Sequence, residues 1–264
     1  MAEIGTIKTG WIGFGEYDIP AEYYHADKFP PTPALSKSLG VEMVDSSPWH
    51  AWTASERLNP NFVREDKAIF DLGSIFHKLI LGKGDEVEVM HFDDWRTNQA
   101  KGCRDSARAA GKIPILAKNM DEIEAMVAVA RRQIGFNDEL AYAMAGGVPE
   151  RVIYWEEETD CGPIICRAMI DWLPHSGDVM PDWKSTGVGA GPDDWGRRTM
   201  WDMGADFQAA FYARGGRKVF GRDLRMIFPV VETKPPYAMA VHCPDPASLA
   251  VGDRGTSGRA RACV

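Results

Sequence analysis

Long apolar runs are missing from this sequence, and so is a basic N-terminal segment leading into an apolar stretch. A membrane-spanning helix needs roughly 18 to 20 apolar residues, and a secretory leader needs that basic-then-apolar order, so a soluble, unexported, cytoplasmic protein is expected. Cysteine is sparse as well. Cys103, Cys161, Cys166, Cys243 and Cys263 are odd in number and nowhere form a CxxC pair. That pattern indicates neither a disulfide framework nor a cysteine-rich zinc site, and reduced thiols are the simplest reading. Positive charge is in deficit too: 30 Lys and Arg against 38 Asp and Glu leave a net charge of −8. Such a chain does not coat nucleic acid by bulk electrostatics, although an acidic exterior can carry a local basic track.

The 264 residues, 45% hydrophobic and 26% charged, fit an ordinary globular chain with a sizeable core. Residues 1–48 carry scattered Gly and Pro and read as an irregular arm packed on the core. Ile69, Leu72, Ile75, Phe76, Leu79 and Ile80 recur at helical spacing over 66–82. A polar helix is expected over 93–110. Asn119 with Glu122 resembles a capping box for a further helix to about 134. The period then shifts to two, and strands are expected at 150–157, 163–173 and 179–184. A helix over 193–214 and strands at 224–232 and 236–242 follow. This order predicts an α/β (α+β) fold with a mixed central sheet flanked by helices. Residues 49–245 form the main domain, and 246–264 read as an irregular tail without apolar periodicity.

The basic track is expected between 196 and 225, where Arg197, Arg198, Arg214, Arg217, Lys218, Arg222 and Arg225 stand against Asp202, Asp206 and Asp223. A solvated helix face accounts for such a run equally well. The chemistry concentrates elsewhere. If Ser176-Gly177 turns a hairpin, Asp171 faces Asp182 across the ladder. Opposed carboxylates repel and call for a cation between them or a shifted register. Lys184, two residues beyond Asp182, shares its face. Carboxylate oxygens suit Mg²⁺, whose retained water can attack a phosphodiester, though Asp182 and Lys184 could also be a simple surface pair. Gln208 and Tyr212, four apart on a helix, present an amide and a phenol together.

Glu150, Asp171, Asp182-Trp183-Lys184 and the Gln208-to-Tyr212 box together resemble the PD-(D/E)XK nuclease superfamily. The branch is that of lambda exonuclease and RecB-type nuclease domains, and within it the exodeoxyribonuclease VIII (RecE) catalytic domain. Tyr24-His25, Leu35-Ser36-Lys37-Ser38, Ser47-Pro48, Gly73-Ser74-Ile75-Phe76-His77 and Pro235-Pro236-Tyr237 add to the likeness, which covers about 16 to 242. The resemblance implies a restriction-endonuclease-like core and a Mg²⁺-dependent exonuclease, with Mn²⁺ as a substitute and no iron-sulfur cluster. Its products would be 3′ overhangs cut 5′ to 3′ from linear duplex for phage or prophage recombination in the bacterial host cytoplasm. Asp171, Asp182, the Trp183 backbone carbonyl, Glu150 and His77 would approach the metal. Lys184 would be the catalytic lysine, and Gln208, Tyr212 and Arg167 would position DNA. A homo-oligomer and a single-strand annealing partner are also implied. An endonuclease, a junction resolvase or a catalytically silent DNA-binding module stay open as alternatives. Cys166-Arg167-Ala168-Met169-Ile170-Asp171 departs from the family's usual Gly-Arg-Pro-Asp, and the tail replaces a helix that relatives usually carry.

Overall fold

The computed structural model describes residues 11, 13–63 and 68–260. The arm holds more regular structure than its Gly and Pro content suggests. Strand β1 (Gly15–Tyr17), helix α1 (Ala21–His25), strand β2 (Ala34–Leu35), helix α2 (Lys37–Asp45) and helix α3 (Pro48–Thr53) succeed one another. Ser36 and Ser47 cap the last two helices by accepting from Leu39 N and His50 N, which satisfies amide donors that a helix start leaves free.

Helix α4 (Ala68–Leu81) matches the expected apolar spacing, with 66 and 67 outside the described residues. Strand β3 (Val87–Met90), helix α5 (Asn98–Ala109), strand β4 (Ile113–Leu116), helix α6 (Ala117–Ile134) and helix α7 (Asp138–Met144) follow. Strands β3 and β4, not anticipated, pair in parallel. Asn119 lies inside α6, which begins after Leu116 without a side-chain cap. The Asn119–Glu122 spacing therefore marks a helical face and not a boundary.

The centre is a long antiparallel hairpin, β5 (Gly147–Glu157) with β6 (Ile164–Pro174). β1 flanks β5, and β2 runs parallel along β6, so the arm completes the sheet. Val152, Ile153, Tyr154 and Trp155 are all buried because the hairpin is covered on both faces. Ile153 and Trp155 join the main core, while Val152 and Tyr154 pack against Ile19, Tyr24 and Ala34 of the arm. The period-two alternation thus sorts side chains between two cores.

Strand β7 (Val179–Pro181) does not continue the hairpin. It pairs in parallel with β9 (Arg225–Glu232), as does β8 (Lys184–Thr186), while β10 (Met239–His242) closes the far edge antiparallel. The expected register that set Asp171 opposite Asp182 by a Ser176-Gly177 turn is therefore wrong. Parallel pairing to β9 satisfies the β7 backbone instead.

The expected helix over 193–214 is split. A π-helical segment spans Pro192–Thr199, a short α8 covers Met200–Asp202, and α9 runs Ala205–Phe220. The break falls at Gly204, with φ +58° and space for a Cβ only 2.7 Å from Val41. A side chain there would meet both left-handed strain and a clash.

The tail is also regular, contrary to expectation: α10 covers Pro246–Ala260. Asp245 accepts from Ser248 N at 2.7 Å, with Pro246 in the first helical position, a combination that starts helices. Apolar periodicity missed it because α10 docks through a small residue and an ion pair. Gly252 is buried against the Asp206 backbone, and Asp253 pairs with Arg214 at 3.2 Å. Cys103, Cys166 and Cys243 are free thiols, whereas Cys161 is disulfide-bonded, which departs from the reduced-thiol reading. No helix among the described residues is long and apolar enough to cross a membrane.

Candidate active site

The site forms where β6 ends its pairing with β5 and the chain crosses to β9. Trp183 anchors the crossing: it is fully buried and meets Phe76 of α4 edge-on at 6.0 Å. That anchor fixes the residues on either side. Asp182 is 2% exposed and ion-paired with Lys184 through Oδ2, while its Oδ1 accepts from Gln208 Nε2 at 2.7 Å. Lys184 Nζ also donates to Gln208 Oε1 at 3.3 Å. Gln208 thus bonds both partners, donor to the acid and acceptor from the amine, as a two-ended amide permits.

Asp171 joins from β6. Its Oδ2 accepts from Trp183 N at 3.1 Å and lies 3.5 Å from His77 Nδ1. The opposite ring nitrogen, His77 Nε2, donates to the Trp183 carbonyl at 2.7 Å. Asp171, Asp182, Trp183, Lys184, His77 and Gln208 therefore lie in one connected set of contacts, brought together by a backbone route other than the expected hairpin. Burial, reinforced by the neighbouring Asp182 carboxylate, raises Asp171 to about 6. Lys184 is raised above the usual lysine range: burial opposes its charge, but Asp182 and Asp171 outweigh that cost together.

Glu150 is placed differently. Pro149 faces Trp172 and Arg151 faces Ile170, so Glu150 lies across from Asp171, yet it makes no ladder pair and takes φ +48°. A left-handed glutamate in a strand is strained, and such strain concentrates at functional positions. Burial raises its carboxyl, with Lys83 and His77 pulling the other way. It is not gathered with the aspartates into a ready ligand set: no group of three or more His, Cys, Asp or Glu among the described residues is so arranged. The oxygens that do converge, two carboxylates and the Trp183 carbonyl, fit a hard divalent cation. An acid whose proton affinity is raised by a neighbouring carboxylate, as Asp171's is by Asp182, marks a place where a positive ion would be favoured.

Arg167 and Tyr212 depart from the expected DNA contact. Arg167 is 4% exposed, pairs with Asp27 at 3.3 Å and donates to the Tyr24 carbonyl. Tyr212 is buried in the main core. Nor does the basic track stand free. Arg197 pairs with Asp193, Arg214 with Glu157 and Asp253, Arg217 with Asp223, and Arg225 with Glu139. Arg222 donates to the Gly177 and Pro174 carbonyls. Five arginines of the track, Arg197, Arg214, Arg217, Arg222 and Arg225, are thus engaged within the chain.

Lys37 had no assigned role from sequence. It opens α2, donates to the Met203 carbonyl and lies within electrostatic reach of Lys184 and Asp182. The Ser36 cap beside it was the legible signal.

Residues 44–247 match the model of a PDDEXK-like domain of unknown function, DUF3799. The chain belongs to that family. In structure it is similar to a candidate exonuclease from Eubacterium rectale, with a TM-score of 0.61, 15% identity, and coverage of 92% of this chain and 84% of the other. At that identity the likeness shows the fold alone. A second solved structure, SSO0001, has a TM-score of 0.29 at 11% identity over 71% of this chain and 84% of its own, too remote to carry an argument. No curated protein matches in sequence.

Proposed function

We propose that this chain is a Mg²⁺-dependent exodeoxyribonuclease that degrades one strand of linear duplex DNA from 5′ to 3′ and leaves 3′ overhangs. One observation carries the reading: the buried Asp182, the partly buried Asp171 and Lys184 meet beside the Trp183 backbone carbonyl, to which His77 donates, within a PDDEXK-like fold. The similarity to a candidate exonuclease supports the exonuclease form of it. Polarity, the bacterial or phage setting, a homo-oligomer and hand-over to a single-strand annealing protein rest on the RecE-like resemblance of the motifs.

Asp171, Asp182 and the Trp183 carbonyl would hold Mg²⁺, with Glu150 drawn in from its place across from Asp171 and His77 giving up the carbonyl it now bonds. Bound there, the ion supplies Lewis acidity and a more acidic water. Gln208 holds the Asp182 carboxylate in one orientation, which keeps the oxygen donors preorganised. Lys184 presents a full positive charge to the phosphate oxygens, where negative charge grows during in-line attack.

The test is end-labelled linear duplex with Mg²⁺, set beside EDTA and covalently closed circles. Loss of label from one end only, with circles intact, is the expected result. Asp182→Ala and Lys184→Ala should each reduce hydrolysis by at least about a hundredfold, the scale of losing one charge-stabilising group. Cutting of closed circles would instead make the chain an endonuclease.

A further inference from the structure

Glu150 breaks the ladder of the central hairpin, and charged side chains outside the site hold it there. Pro149 faces Trp172 and Arg151 faces Ile170, so one register runs through both sides of the break and Glu150 stands directly opposite Asp171. Directly opposed residues of an antiparallel pair project to the same face, and an extended Glu150 would set its carboxylate beside that of Asp171. It is instead left-handed, at φ +48°, and unpaired. A non-glycine residue keeps such a conformation only where its surroundings impose it.

Those surroundings form a clamp. Lys83, two residues past the end of α4, donates to the Glu150 carbonyl at 3.4 Å and to Asp18 Oδ1 at 2.7 Å. Asp18, just beyond β1, pairs through Oδ2 with Arg151 at 3.1 Å, and Glu16 pairs with the same arginine at 3.4 Å. The bond to the carbonyl is long, but its donor is charged, and charge-assisted bonds are the stronger class. Asp18 thus ties three segments together, β1, the end of α4 and β5, and aims Lys83 at the carbonyl of the strained residue. No step of the proposed chemistry uses Lys83 or Asp18.

We propose that Lys83, aimed by Asp18, is a positioning residue that holds Glu150 left-handed and so keeps its carboxylate apart from Asp171 until a cation draws it in. The proposal rests on the cation-site reading for its effect on metal binding, but not for its effect on the Glu150 backbone. A clamp that favours the ion-free form opposes binding, so releasing it tightens binding.

Calorimetric titration with Mg²⁺ is the first test. Lys83→Met should tighten binding about three- to tenfold, the scale of one hydrogen bond. Loss of a positive charge acts in the same direction, so Asp18→Ala is the deciding companion. It removes a negative charge, which by itself weakens cation binding, yet it frees Lys83 and should tighten binding about two- to fivefold. Absence of tightening in either variant would overturn the proposal. Crystal structures without any ion are the second test. If carboxylate repulsion alone turned residue 150 away, Glu150→Gln would restore an extended backbone. Held by Lys83, its φ should stay positive in Glu150→Gln and become negative, with pairing to Asp171, once Lys83→Met is added. A negative φ in Glu150→Gln alone, or a positive φ in the double variant, refutes the clamp. If the unaltered chain binds no Mg²⁺, the cation-site reading fails and these two backbone angles decide the proposal alone.

Discussion

Asp171, Asp182 and Lys184 stood out in the sequence through the family resemblance, since so short a motif as Asp-x-Lys recurs by chance. Arg167 was misleading for the same reason. The family resemblance gave it a DNA-positioning role, and only coordinates reveal that Asp27, 140 positions away in the chain, is its ion-pair partner. Lys37 shows what side-chain identity alone leaves out. Burial, reinforced by the nearby Lys184 charge, pulls its pKa down to about 8. An unfolded lysine titrates near ~10.4, so the folded state releases its proton first, and this residue's contribution to stability rises as pH climbs from 8 toward that value. Lys37→Met should therefore be more stable than the wild type at pH 7, with the difference closing by about pH 10. Urea unfolding at the two pH values checks this, and a difference that holds constant would refute it.

At the scale of elements, hydrophobic period located elements whose side chains alternate between distinct surroundings. Helix α4 and the β5–β6 hairpin are examples. Reading failed where partners are remote. Nothing local to 179–184 says that β9, more than forty residues on, will take both β7 and β8 in parallel. Helix α10 was missed because its docking face is a glycine, although Asp245-Pro246 announced its start. A Cβ at Gly252 would sit 2.4 Å from the Asp206 carbonyl oxygen. Backbone cannot yield as a flexible side chain can, so Gly252→Ala should push α10 off α9 and cost about 1–3 kcal/mol. Thermal unfolding measures the loss. Faster amide exchange in 246–253, with α4 unaffected, would place it at this contact.

Across the whole molecule, an acidic chain builds a site that needs cations. The net charge of −8 is not offset by a free basic track: most arginines of the 196–225 stretch are committed to internal partners. On the nuclease reading, attraction of a phosphodiester would fall to Lys184, Lys37 and a bound metal, which makes metal loading its central physical claim. Fold class followed from the order of elements, and the PDDEXK-like domain over 44–247 agrees with it. The direct measurement is calorimetric titration of the purified chain with Mg²⁺, beside Asp171→Asn, Asp182→Asn and Glu150→Gln. Binding that disappears in both aspartate variants and weakens in the glutamate variant is the expected result. Equal heats in all four proteins would show that the two aspartates do not form the cation site.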